Sequence, residues 1–347
     1  MRVNRTNTIR FILALMTGLW GGVCPDARAA DPVAVTFTLD RPIDAVAAPF
    51  VMAQANGLYS AQGLSVTTNA AASAQEAIAR VTSGASELAL VDINVLVRLR
   101  DKEKPDAPQV KAVFVLFNEA GYSIIARKSR GIRTMADLAG KSLGIVEHDP
   151  AAKFWPAVVK QNGIKLPTIK QSIISPAVRE PMLSAGQVDA VTGSSFLSAI
   201  NLKDRGVPAD DVVLLRFADY GSEAYGYAII ANPAFAAAKP EAVKGFIRAT
   251  IGGLNRVVKE PARAIEQVVS RMDSGSRDLE MERLRTILRE NILTSEVRRN
   301  GLGGIDTARF EKSIEQMAED FKFQKRPAAA DVFDGSFLPP LNGRLIN

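Results

Sequence analysis

A chain of 347 residues with 47% hydrophobic content is long enough for two compact lobes and too apolar for a disordered polymer. Half of its formal charge of +6 sits in residues 1–29; the +3 that remains is too small an excess to serve as a nucleic-acid footprint. The single cysteine, Cys24, lies in the same segment, so residues 30–347 can hold neither a disulfide framework nor a zinc–thiolate site.

Arg2, Arg5 and Arg10 precede the apolar run Phe11 to Trp20, and Ala27-Arg28-Ala29 offers a small-x-small cleavage site. This predicts a secretory signal peptide over 1–29 and a periplasmic location. The run is shorter than the roughly 20 apolar residues of a membrane span. Val23 stands where lipid attachment at Cys24 would want a small residue.

Val33–Leu39 alternates as a strand; a polar turn follows, then a helix opening near Pro49 and closing at Gly57, then a strand at Ser65–Thr68. Strand–turn–helix–strand units build parallel sheets, whose ligands bind at the carboxyl ends of strands, so Asp40–Asp44 is the first candidate contact. A helix at Gln75–Ser83, a buried strand at Leu88–Val91 and a helix at Asn94–Arg100 come next. A charged loop, Lys102–Pro108, leads to strands Val110–Phe117 and Tyr122–Ala126.

Asp137–Val146 starts afresh with a short helix, a glycine stop and a strand. A helix at Ala151–Gln161 should kink or restart at Pro156. A helix at Val178–Ser184, a strand at Val188–Thr192, a helix at Phe196–Lys203 and strands at Val212–Phe217 and Tyr225–Ala231 follow. Beyond Pro240 the chain reads as helix at Glu241–Val258, Pro261–Met272, Leu279–Asn291 and Thr307–Phe321. The first of these carries Val243, Phe246, Ile247, Ile251, Leu254 and Val258 on one face. The proline-rich tail from Pro327 reads as extended.

Two segments echo each other. Ser83-Gly84-Ala85-Ser86-Glu87 before Leu88–Asp92 has the form of Ala185-Gly186-Gln187-Val188-Asp189 before Ala190–Ser194: a glycine stop, an acid three residues on, then an apolar strand ending in a polar residue. The echo suggests two similar α/β lobes in succession.

Together with Ala48-Pro49-Phe50 through Gly63-Leu64, Asp137-Leu138-Ala139-Gly140-Lys141, Tyr225-Gly226-Tyr227 and Lys239-Pro240-Glu241-Ala242-Val243, these motifs carry a family likeness by their order and spacing. The chain resembles the periplasmic substrate-binding proteins of ABC importers, in the branch serving taurine, aliphatic sulfonates, nitrate and thiamine-pyrimidine precursors. The resemblance implies an α/β, type II two-lobe fold, each lobe a mostly parallel sheet flanked by helices. Residues 31–125 and 222–347 would form lobe one and 126–221 lobe two, with two crossing strands as hinge. It further implies a monomer that takes a small-molecule ligand, hands it to a permease, and uses no cofactor or metal. The family often has Leu-Asp-Trp at the first turn and a histidine before Ala-Pro; here Arg41 and Ala47 stand near those places. An aromatic surface is exchanged for a positive charge, which favours an anionic ligand over a pyrimidine, unless Arg41 points to solvent.

Strand-end position makes Asp40, Arg41, Ser73, Asp92, Asn94, Asn118, Thr192, Ser194 and Ser195 the candidate ligand-binding residues. Ser73, Ser194 and Ser195 stand near helix N-termini and either help to hold an anionic oxygen or simply cap. His148 follows the strand Leu143–Val146. Phe196 either walls the pocket or fills a core, and Tyr225 is the best placed of Tyr220, Glu223 and Tyr225. Arg179 either grips an anionic ligand or pairs near Glu180 on the surface. Catalytic motifs are missing: Met135 breaks a phosphate loop ending in Gly140-Lys141-Ser142, and no Gly-x-Ser-x-Gly surrounds Ser194 or Ser195. The cysteine cluster of relatives that make a thiamine pyrimidine is absent. The expectation is a binding protein and not an enzyme, coupled to a permease or to a membrane sensor.

Overall fold

The computed structural model describes residues 31–102, 109–147 and 149–346. The expected signal peptide, residues 103–108 of the charged loop and His148 lie outside that set.

Among the described residues there are ten strands: β1 (Val33–Leu39), β2 (Leu64–Ala70), β3 (Leu88–Asp92), β4 (Lys111–Val115), β5 (Tyr122–Arg127), β6 (Ser142–Ile145), β7 (Lys170–Ile173), β8 (Ala190–Ser194), β9 (Val212–Arg216) and β10 (Tyr227–Ala231). They form two five-stranded sheets, ordered β2-β1-β3-β10-β4 and β7-β6-β8-β5-β9. In the first, β1 runs parallel to β2 and β3, while β10 is antiparallel to β3 and β4. The second repeats the pattern: β6 is parallel to β7 and β8, and β5 is antiparallel to β8 and β9. Each sheet is therefore parallel except for one strand, delivered by the segment of chain that crosses from the other sheet.

The two crossings lie side by side. Leu116 and Phe117 N–H groups donate to the Tyr227 carbonyl at 2.8 and 3.0 Å, Gly226 N–H donates to Phe117 O at 2.9 Å, and Ala120 N–H to Ala224 O at 3.1 Å. The echo has a geometric counterpart. Gly84 and Gly186 both close helices in the left-handed region, at φ 78° and 72°. The acid three residues later accepts from a first-strand amide in each half: Thr36 N–H to Glu87 at 2.6 Å and Ser142 N–H to Asp189 at 2.9 Å. One sequence device thus ties a helix end to the first of the parallel strands in each sheet.

Helices Ala48–Ala55 and Pro240–Lys259 cover one face of the first sheet, and Phe37, Phe50, Tyr59 and Phe246 form its aromatic centre, with ring centroids 4.7 to 5.0 Å apart along Phe50–Phe37–Phe246–Tyr59. The long helix buries the expected face with one change: Val257 takes the inner place expected of Val258. The helices cross at Gly253, where a Cβ would stand 2.1 Å from the Pro49 carbonyl oxygen. A backbone atom cannot swing aside, so Gly253→Ala is expected to destabilise by about 2–3 kcal/mol in denaturant melts; a loss under about 0.5 kcal/mol would show that the helices have room to part.

Three sequence readings need correction. Helix Pro150–Gln161 runs through Pro156 without a restart, because Pro156 lies on the exposed face, where water can satisfy the carbonyl it leaves free. The helix Arg277–Thr286 ends sooner than expected and continues as a π-helix, Ile287–Ile292. This wide turn brings Asn291 to Glu119, which it meets by two hydrogen bonds at the approach to β5. The tail is not simply extended: it forms a short helix, Ala329–Val332, and Phe333 bridges to Ala112 on β4.

Candidate functional site

The carboxyl ends of β1, β3, β6 and β8 border a cavity of about 380 Å³ between the two sheets. From the first sheet come Asp40, Arg41, Ser73 and Asp92; from the second, Val146, Asp149, Arg179 and Ser194; the crossings add Phe117, Gly121, Tyr122, Gly226 and Tyr227, and Phe196 closes the wall. Glycines suit the crossings because the chains approach closely: a Cβ at Gly121 would stand 2.9 Å from the Phe196 ring.

Both guanidiniums in the wall are already engaged. Arg41 contacts Asp40 at 3.1 Å and Asp44 at 3.8 Å, and lies over the Tyr227 ring at 4.6 Å. Arg179 is buried, 2.7 Å from Asp149 and 2.8 Å from Glu180. Leaving a buried charge without its partner costs about 3–5 kcal/mol, so an anion entering here would first have to displace carboxylates in good geometry. Arg41 therefore does not stand as a free positive charge: Asp40 and Asp44 lie beside it. Arg179 is not the surface residue that its pairing with Glu180 suggested.

Asp92 is buried in the wall with neutral partners. Its carboxylate accepts from the Tyr122 hydroxyl in a very short contact and from Asn94 N–H at 2.9 Å and Nδ2 at 3.0 Å. Burial pushes its carboxyl up to about 6 despite these bonds. Burial also raises Asp40 and Asp149 above the ordinary carboxylate range, outweighing Arg41 and Arg179 respectively.

The cavity thus gathers Asp40, Arg41, Ser73, Asp92, Ser194 and Phe196 from among the sequence candidates. Ser73 also caps its helix, accepting from Glu76 N–H at 3.2 Å. Phe196 both lines the cavity and packs edge-on against Phe117 at 5.6 Å. The other candidates lie elsewhere. Asn94 sits behind Asp92, and Thr192 accepts from Val146 N–H at 3.3 Å beneath the wall. Ser195 is buried, its N–H bound to Gly121 O at 2.8 Å.

Asn118 and Tyr225 point away from the cavity into a polar knot with the C-terminal helices. Asn118 donates to Glu296 at 3.0 Å and accepts from the Thr294 hydroxyl at 2.6 Å. The Tyr225 hydroxyl donates to Glu296 at 2.7 Å and accepts from Asp306 N–H at 2.8 Å, while Arg309 lies over its ring at 4.2 Å. Tyr225→Phe is expected to lower stability by about 1–3 kcal/mol with ligand affinity little changed. Lost affinity with unchanged stability would put Tyr225 back in the site.

Sequence reasoning missed Asp149, Tyr122, Tyr227 and Phe117. Asp149 stands four residues past the end of β6, whereas Asp40 follows β1 directly, so the strand-end rule reached that connection only at His148. The tyrosines and Phe117 belong to the crossings, whose proximity is a tertiary fact.

A family model described as NMT1/THI5 like matches residues 44–264. Among curated proteins, 4-amino-5-hydroxymethyl-2-methylpyrimidine phosphate synthase of Schizosaccharomyces pombe is 23% identical over 236 residues, 64% of this chain, and the chain spans 64% of that protein's length. Among solved structures, the periplasmic aliphatic sulphonate binding protein SsuA of Escherichia coli superposes with a TM-score of 0.69 at 13% identity, covering 86% of this chain and 91% of its own. The periplasmic nitrate-binding protein NrtA of Synechocystis PCC 6803 gives 0.62 at 11% identity, covering 88% and 87%. These likenesses carry the fold, an α/β two-lobe architecture of the periplasmic-binding-protein kind. With its model matched from the end of the turn after β1 into the C-terminal helices, the chain belongs to the NMT1/THI5-like family.

Proposed function

We propose that this protein is an exported solute-binding protein: it captures a small organic molecule between its two lobes and delivers it to the permease of an ABC importer. The observation that carries this reading is the convergence of four parallel-strand ends, two from each sheet, on one cavity beside both crossings. Residues 1–29 would direct export. Residues 31–125 and 222–347 would move as one lobe and 126–221 as the other, hinged at the crossings. Closure is then favoured by ligand because only the closed form lets one molecule touch both walls. A micromolar ligand needs about −8 kcal/mol, within reach of a few buried polar contacts and an aromatic wall. Among the described residues no helix is long and apolar enough to cross a membrane, which suits a partner that supplies the membrane part.

The test is to incubate the protein with metabolite extract, wash it, and recover the bound molecule by mass spectrometry. A molecule recovered unchanged, which then stimulates ATP hydrolysis by an importer reconstituted with this protein, supports delivery. One observation favours a second reading, catalysis on the same scaffold: the curated relative is a synthase. Recovery of a product of altered mass would select that reading.

A further inference from the structure

We propose that the ligand of this cavity is an organic cation, a primary ammonium or amidinium carried on a flat apolar body. The inference rests on the reading of the cavity as the ligand site. Three carboxylates, Asp40, Asp92 and Asp149, reach its wall, against two guanidiniums, Arg41 and Arg179. The guanidiniums are held by two carboxylates apiece, Asp40 with Asp44 and Asp149 with Glu180. That leaves Asp92. It is 5% exposed, and its hydrogen-bond partners, Tyr122 and Asn94, are neutral. Among the described residues no cation forms an ion pair with it. Asp92 also feels the repulsion of Asp40. A positive group set between them relieves that repulsion and gives Asp92 the direct ion pair that Arg41, which attracts it only from a distance, does not make, whereas a negative group adds to the repulsion.

The rest of the wall fits the body of such a ligand. Phe117, Phe196, Tyr122 and Tyr227 bring four rings to a space that suits a molecule of about ten heavy atoms, and an aromatic face attracts a cation that it would not offer an anion. The carboxylate of Asp92 can accept about four hydrogen bonds and receives three, so one acceptor site is left for a ligand N–H.

The experiment uses the chain without residues 1–29. Aryl and alkyl amines and amidines, each paired with the carboxylate and the sulfonate of the same carbon skeleton, are screened by thermal shift, and hits are measured by titration calorimetry. Benzylammonium and benzamidinium against benzoate and benzenesulfonate form the first set. The cations are expected to bind at least tenfold more tightly than their anionic partners, and Asp92→Asn to remove at least tenfold of that affinity with circular dichroism unchanged. As a check that needs no variant, titration at pH 6 in buffers of different ionisation enthalpy should show proton release, since the cation pairs with ionised Asp92. Preference for the anions, with affinity still lost in Phe196→Ala, would overturn the cation assignment and leave the binding function standing. Failure of every member of the panel to bind would overturn both.

Discussion

Glu280→Ala is expected to lower stability by about 3–5 kcal/mol and to weaken ligand binding as well. Glu280 is 1% exposed on helix Arg277–Thr286, far along the chain from the site. Its carboxylate accepts from the Ala45 N–H at 2.8 Å, at the end of the turn that carries Asp40, Arg41 and Asp44. It also holds Arg283 in a very short ion pair, and Arg283 reaches on to Asn201 at 2.6 Å, on the helix that follows β8. Burial raises the carboxyl of Glu280 above its ordinary range, with Arg283 and the Ala45 amide opposing, so the pair itself adds little net stability. The loss expected of the alanine variant is the penalty of leaving the Arg283 guanidinium without its counter-charge and the buried Ala45 amide without its acceptor. Glu280→Gln keeps an acceptor for Ala45 and should cost only about 1–2 kcal/mol. Urea melts of both variants check this; equal, sub-kilocalorie losses would mean that the turn stands without Glu280.

Asp92→Asn is expected to act in the opposite direction. With the folded carboxyl pushed from 3.8 to about 6, the folded state holds a proton that the unfolded state has released between those values. Stability therefore falls as pH rises through that window and stays lower above it, by about 3 kcal/mol in all. The asparagine variant should lose this slope, match or fall below the parent near pH 4, and exceed it at pH 8 by about 1–3 kcal/mol, less whatever Tyr122 loses in adjusting to an amide. Other groups bend the absolute curves, Asp211 among them, since its carboxyl is held down at about 2 by Ser129 and Arg127. The difference between parent and variant isolates Asp92. Parallel curves would show that Asp92 titrates alike in the folded and unfolded states. A carboxylate that destabilises its own fold at neutral pH is expected where function, and not packing, keeps it.

Local chemistry was legible in the sequence, and so was much of the cavity. Alternation at Val33–Leu39, the proline at the start of Ala48–Ala55 and the glycine stops at Gly84 and Gly186 act within a few residues of chain, and each produced the element expected. Strand-end position led to Asp40, Asp92 and Ser194 because parallel strands in both sheets end at the same gap. The same rule misled at Asn118 and Tyr225. They follow strands or precede them at the crossings, where the backbone turns toward Glu296, Thr294 and Arg309, and nothing local announces the docking of helices some 70 to 190 residues away. Arg41 reaches the cavity as expected, but its charge is shared with sequence neighbours, Asp40 one residue before and Asp44 three after. Arg179 needed Asp149, 30 residues distant, to become part of a wall.

In the proposed mechanism one small molecule sits between the two sheets and touches both. The most direct measurement is a crystal structure of the protein grown with whichever screened compound raises its melting temperature most. That compound is expected in the cavity, against Asp92 and the Tyr227 ring on one side and Asp149 or Ser194 on the other. The same compound seated on an outer surface, with the cavity filled by water alone, would contradict it.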